Sequence, residues 1–302
     1  LTMADDGAFQ MLAGLLPAAG LEHWKEVVVA NCLPISAALA LLLLVPLLLG
    51  LLPGLGFTGP RTFLNPEEFK ELPLVERKQL SHNTVWMKFG LPDPDTPVGL
   101  PVGQHISLRL HNSEGKEVVR PYTPVSGEDQ LGSVDFVIKV YPTGEMTPLL
   151  GRLKLGDKVG FRGPKGRMEY KPNMKRAIGM IAGGTGITPM YQVMKAILRA
   201  SGDKTRISLI YANVAEEDIL LRAELDEIAA AYPEQVSVFY VLNTPPAGWG
   251  GGKGFVTADM VREHCPAPAE DVMVWRCGPP PMNVAVRKCL EELGYSKDMQ
   301  FQ

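Results

Sequence analysis

GMIAGGTGITPM, residues 179–190, is an apolar run that stops at a cluster of glycines, followed by a threonine and a proline. Gly183, Gly184 and Gly186 let the backbone approach a ligand closely. A helix is predicted to follow, with Thr188 as its cap and Pro189 at its first position. Its N-terminus would aim free N–H groups and the positive end of its dipole at a phosphate. The spacing is neither G-x-G-x-x-G nor G-x-x-x-x-G-K-[ST]. Alone, the turn points to a nucleotide, but turns of this kind also arise for steric reasons.

The neighbouring sequence extends the pattern. RAIGMIAGG reads as a buried strand and ITPMYQVMKAILRA as an amphipathic helix. RISLIYANV is a second strand, EDILLRAELDEIAAAY a second helix, QVSVFYVLN a third strand and DVMVWRCG a fourth. This alternation predicts a doubly wound α/β domain over about residues 175–302. CGPPPM, residues 277–282, follows the fourth strand, and its three prolines predict a stiff loop at a carboxyl strand end, where open α/β sheets bind ligands. Cys277 either touches a ligand there or is a small buried apolar residue.

Upstream, PVGQHISLRLH, VDFVIKVY and DKVGFRGP alternate apolar and polar residues between Gly/Pro turns. They predict short antiparallel strands of a small barrel over residues 61–170, with KPNMK as the linker. This half carries RPYTPVSG, residues 120–127. Arg120 can pair with a phosphate, Tyr122 can stack on a ring and Thr123 can hydrogen-bond a ring nitrogen. Each also has a plain reading: a surface arginine, a half-buried strand tyrosine, a turn threonine.

The bulk properties bound the function. A chain of 302 residues with 46% hydrophobic and 21% charged residues suits about two globular domains. A net charge of -3 without a long basic run argues against nucleic-acid binding. Cys32, Cys265, Cys277 and Cys289 are too scattered for a disulfide framework, a zinc site or an iron–sulfur centre, and no H-E-x-x-H occurs, so no metal site is expected. Residues 1–60 form a separate N-terminal segment. Within it the apolar run of about Leu33 to Leu52 is long enough to span a membrane and is expected to be a transmembrane helix kinked at Pro46; a cleaved signal peptide or a buried helix is the alternative. Mixed flanking charges give no firm orientation.

RPYTPVS, GGTGITPM and CGPPPM, in this order and at these distances, resemble the ferredoxin–NADP reductase superfamily and, within it, the NADH–cytochrome b5 reductases. The resemblance runs from about Pro66 to the end, with GLPVGQHI, FVIKVY, FRGPKG, ANVAEEDILLRAEL and GKGFV in support. It implies an antiparallel FAD-binding β-barrel followed by an NAD-binding α/β domain. Electrons would pass from NADH to FAD and then singly to cytochrome b5. Carried over by motif, Arg120 of the Arg120–Pro121 pair would hold the FAD pyrophosphate, Tyr122 would pack on the flavin and Thr123 would face it. Val137, Ile138, Lys139 and Tyr141 would flank the cofactor, and Gly144, Met146 and Thr147 would cradle its phosphate. Thr188 would reach the flavin from the second domain. Gly183, Gly184, Thr185 and Gly186 would accept NADH, and Cys277, Gly278, Pro279 and Met282 would place its nicotinamide. His105 matches a histidine that joins a proton path with Thr123, although a structural histidine is the plain reading.

Two departures stand out. Glu145 replaces the lysine of animal enzymes, reversing one charge expected to face the acidic cytochrome, while Lys165, Arg167 and Lys253 remain for a basic rim. Asn243 replaces the aspartate that repels a 2′-phosphate. The resemblance also implies membrane anchoring with a cytosolic catalytic domain, at the endoplasmic reticulum or the mitochondrial outer membrane. A quinone or ferric-chelate acceptor, or an accessory subunit of a larger membrane assembly, is the alternative.

Overall fold

The computed structural model describes residues 62–302. The expected membrane anchor at residues 33–52 lies outside the described residues. Among those described, no helix is long and apolar enough to cross a membrane.

The first half is an antiparallel sheet of six strands: β1 (Lys70–Ser81), β2 (Thr84–Gly90), β3 (His105–His111), β4 (Glu117–Tyr122), β5 (Ser133–Lys139) and β6 (Lys158–Lys165), in the order β4-β3-β6-β1-β2-β5. Alternation decides which face is buried. In β2, Val85, Met87 and Phe89 point inward, and the facing strand contributes Val134, Phe136 and Ile138. Phe89 meets Phe136 and Phe161 edge-on, with Phe89–Phe161 centroids 5.1 Å apart, Phe136 and Phe161 are tilted to each other, and the three rings fill the centre. Val125 N donates to Asp135 O across the two outer edges, and Asp135 N donates to Ser126 Oγ. The sheet is therefore curled into a barrel whose last seam is held by these few bonds, not by a strand ladder. A short helix, α1 (Thr147–Gly151), covers one end.

The second half is a parallel sheet: β7 (Ala177–Gly183), β8 (Arg206–Asn213), β9 (Val236–Leu242), the two-residue β10 (Gly252–Lys253), β11 (Val272–Cys277) and β12 (Gln300–Phe301). The order β10-β9-β8-β7-β11-β12 reverses direction beside β7, which makes the carboxyl ends of β7 and β11 the topological switch point. AIGMIAG is buried at every position, as a central parallel strand must be. Helices α2 (Ile187–Arg199) and α3 (Arg222–Ala231) cover one face; α4 (Ala258–His264) and α5 (Pro280–Glu292) cover the other.

Three local expectations needed correction. The glycine turn winds into a 3₁₀ turn at Gly184–Gly186, so α2 starts at Ile187 with Gly186 as its cap. Thr188 lies inside the first turn and donates its hydroxyl back to Thr185 O. The second helix does not begin at Glu217: Glu216–Asp218 is a 3₁₀ turn, and Leu221 in the left-handed region (φ 56°) separates it from α3. Finally, the prolines after Cys277 do not form a loop. Pro280 and Pro281 open α5, where their missing N–H groups leave no intrahelical bond unmade.

The two halves pack along α2. Gln192 Oε1 accepts from Gly103 N at 2.9 Å, and Lys195 Nζ donates to Val125 O at 3.1 Å. On the other side of the junction Lys139 of β5 pairs with Asp218 at 2.5 Å, both side chains nearly enclosed.

Candidate active site

A cleft of about 1360 Å³ opens between the barrel and the carboxyl ends of the parallel strands. A drug-sized ligand needs roughly 300–1,000 Å³, so this space is suited to something larger or to two ligands together.

Every residue assigned above to FAD or NADH lies on its wall, whereas Lys165 and Lys253 of the expected basic rim do not. The barrel side contributes His105, Arg120, Pro121, Tyr122 and Thr123 from β3, β4 and the turn after it. Val137, Ile138, Lys139 and Tyr141 follow from β5 and its exit, and Gly144, Met146 and Thr147 from the turn into α1. The parallel side contributes Gly183, Gly184, Thr185, Gly186 and Thr188, then Asn243 beyond β9. Cys277, Gly278, Pro279 and Met282 complete it from the β11–α5 junction.

The glycine turn and the β11–α5 junction are in direct contact. A Cβ on Gly186 would stand 2.0 Å from Cys277 O, and one on Gly183 would stand 2.3 Å from the Met282 sulfur. Gly184 alone of the turn has a positive φ, 54°. The backbones of the two segments thus approach as closely as only glycine permits, leaving the amino end of α2 open to the cleft.

Electrostatics favour neutral side chains beside a charged rim. Burial pushes the Tyr122 phenol up to about 12, against a smaller opposing pull from the Arg120 guanidinium. Burial also raises the Cys277 thiol, so it stands as a thiol and not a thiolate, and lowers His105, favouring its neutral imidazole. No hydrogen bond links His105 to Thr123 among the described residues. The Thr147 hydroxyl is engaged with the Tyr141 backbone, accepting from its N at 3.0 Å. Arg120 donates to Val119 O and forms an ion pair with Glu145.

Sequence reasoning missed two wall residues, Phe255 and Asn213, and the carboxylate of Asp218 that holds the wall residue Lys139. Phe255 is 81% exposed at the lip, an apolar ring that nothing in GKGFV marks as solvent-facing. Asp218 reaches Lys139 from 79 residues away, a pairing no local pattern discloses. Asn213 ends β8 and is buried against the cleft; an asparagine closing an apolar strand was a readable signal.

The set fits a dinucleotide and a flat ring system: an arginine at one end, apolar strand faces in the middle, and a glycine turn with an open helix terminus opposite. Comparison with known proteins agrees. The family model for an oxidoreductase FAD-binding domain matches residues 71–170, and that for an oxidoreductase NAD-binding domain matches residues 180–288. An Arabidopsis thaliana protein named NADH–cytochrome b5 reductase 1 is 52% identical over 242 residues, covering 80% of this chain and 86% of that protein. A Neosartorya fischeri protein of the same name is 48% identical over 288 residues, covering 93% of this chain and 91% of its own length. Among solved structures, the cytochrome b5 reductase domain of Ulva prolifera nitrate reductase superposes with a TM-score of 0.77 at 36% identity, over 80% of this chain and 99% of that one.

Proposed function

Since the chain belongs to the NADH–cytochrome b5 reductase family, we propose that it carries electrons from NADH through FAD to cytochrome b5, and that the cleft between barrel and parallel sheet is where it does so. FAD, when bound, supplies the step from two-electron donor to one-electron acceptor. The observation that carries the assignment is the meeting of RPYT, GGTG and CGPPPM on one wall-to-wall cleft.

Within this reading each side chain has a physical task. Arg120 neutralises the diphosphate, and the apolar faces of Tyr122, Val137 and Ile138 exclude water from the ring system. Thr123, whose hydroxyl has no hydrogen-bond partner among the described residues, hydrogen-bonds the ring edge, and neutral His105 stands ready as a proton acceptor nearby. The segment Gly144–Thr147 supports the phosphates through its backbone. Gly183–Gly186 and the amino end of α2 receive the NADH phosphates. The Cys277–Met282 junction, wedged against that turn, fixes where the nicotinamide must lie; the enclosed thiol acts as a small apolar wall and not as a nucleophile. The test is acceptor kinetics on the full chain. NADH should drive reduction of soluble cytochrome b5; if reduction is no faster than the background set by ferricyanide controls, the assignment fails.

Glu145 gives a second expected result. Its ion pair with Arg120 competes with the FAD diphosphate for the same guanidinium. Exposed pairs contribute about 0.2–1 kcal/mol. Glu145→Gln should therefore tighten FAD binding by up to about fivefold, measured by fluorescence titration of the flavin-stripped protein.

Asn243 sets the third. It is uncharged, its Nδ2 donates to Gly254 O at 3.2 Å, and no arginine occupies the stretch from Thr244 to Gly254. NADH should give the higher kcat/KM, with weaker rejection of NADPH than an aspartate would enforce. Steady-state rates with both cofactors check this, and a higher value for NADPH would overturn it.

Residues 33–52 serve in this reading as the anchor that holds the catalytic part on the cytosolic face of the endoplasmic reticulum or mitochondrial outer membrane. Alkaline carbonate extraction should leave the full chain in the membrane pellet and release a chain truncated to residues 62–302.

A further inference from the structure

We propose that Asn213 is a ribose-binding residue: its side-chain amide holds a sugar hydroxyl of NADH, donating through Nδ2 and accepting at Oδ1. The inference rests on the NADH reading of the cleft and adds to it a residue of ANVAEEDILLRAEL to which that reading gave no role.

Asn213 is 6% exposed, lines the cleft, and among the described residues has no hydrogen-bond partner for either amide atom. Among the described residues it is the one side chain with a buried donor and a buried acceptor both unmet. Leaving such groups unpaired costs about 1–3 kcal/mol each, so they are rare without a ligand to fill them. The neighbours offer Oδ1 no donor, and although the Tyr211 hydroxyl faces Nδ2 as an acceptor, it stands outside hydrogen-bond distance. The Tyr211 hydroxyl, two residues back on β8, donates to Gly184 O and accepts from Leu220 N. The Asn243 side chain donates to Gly254 O.

Position and chemistry then select the ligand group. β8 lies between β7 and β9, so Asn213 sits between the glycine turn and Asn243. In NADH the group joined to each phosphate is a ribose. A phosphate oxygen only accepts and would satisfy Nδ2 alone. A sugar hydroxyl donates and accepts, and satisfies both atoms of the amide. The sugar is that of either nucleoside, and the experiment separates them.

The test uses FAD-loaded full-length protein and its Asn213→Leu variant. The variant should keep its flavin content and melt at or above the wild-type temperature, since two unmet polar atoms are removed. Its Kd for NADH should rise about tenfold or more, the loss of roughly 1.4 kcal/mol. NADH analogues lacking ribose hydroxyls, one set on each nucleoside, identify the sugar. The relevant analogue should weaken on wild type and bind the variant no worse than NADH does. Wild-type NADH affinity in Asn213→Leu would overturn the proposal, as would a fall in melting temperature of more than about 5 °C with loss of flavin, which marks a structural role. If that variant does not fold, wild-type protein still decides: retention of full affinity by both analogue sets refutes a ribose contact. Failure of wild type to bind NADH at all would sink the reductase assignment first, and is told apart by that control.

Discussion

Gly186→Ala should lower stability by about 3 kcal/mol or more, which for a body of this size is a fall in melting temperature of roughly 6–12 °C. The backbone is not the reason, because Gly186 has φ −62° and ψ −5°, where alanine is comfortable. The new methyl would stand 2.0 Å from Cys277 O, 2.5 Å from its carbonyl carbon and 3.0 Å from Gly278 N. All three are backbone atoms, so no rotamer change relieves the clash. The β11–α5 junction must move off the glycine turn. A displacement near 1 Å at a positioning element can lower turnover by about 100-fold. NADH-dependent kcat should fall accordingly. Gly183→Ala is the control: its methyl meets chiefly the Met282 sulfur, the end of a flexible side chain, and the effect should be smaller. A thermal melt and a turnover assay check both, and a Gly186→Ala protein with wild-type behaviour would contradict the contact.

Lys139→Met should be nearly as damaging. Lys139 and Asp218 join the barrel to the parallel half with side chains only 10% and 13% exposed. Removing the ammonium leaves a buried carboxylate whose remaining partners are few, Ala215 N among them. Breaking a pair of this kind costs about 3–5 kcal/mol, whereas replacing both members with apolar groups is often near neutral. Lys139→Met with Asp218→Leu should therefore recover much of the loss. The pH dependence has a definite sign. Burial by itself raises the Asp218 carboxyl, but the Lys139 hydrogen bond and charge, with smaller help from Ala215 N and Asn83, outweigh it, and the net shift is downward. The carboxyl's stabilising contribution is then fully present above its unfolded value, about 3.9, and is lost as pH falls through the lower folded value. The gap in melting temperature between wild type and Lys139→Met should be wide at pH 7 and narrow on acidification below about pH 4. A gap independent of pH would remove the ion pair from the explanation.

Much of this architecture was readable because it is written in short-range chemistry. β7 is buried at all seven positions, and only a continuous apolar run can be. The glycines after it and the prolines after Cys277 restrict the backbone locally, so GGTG and CGPPPM disclosed the strand ends that face the cleft. The errors were also local. Thr188 has the chemistry of a cap, but the 3₁₀ turn at Gly184–Gly186 starts the winding early and hands that position to Gly186. EDILLRAEL has helical periodicity throughout, yet Asp218 is drawn to Lys139 and Leu221 turns left-handed before α3 can begin. That second pull comes from a strand 79 residues away, and no window of sequence contains it. Asn213 is different: its position was visible, but its unmet amide is a property of the neighbours' hydrogen bonds and exists only in three dimensions.

The central claim is that this cleft holds FAD within reach of NADH. The visible absorption spectrum of the purified full-length protein, before and after NADH is added without oxygen, tests it most directly. The account predicts oxidised-flavin bands that bleach on addition of about one equivalent of NADH. A colourless protein that takes up no added FAD, or flavin bands that NADH leaves unchanged, would contradict it.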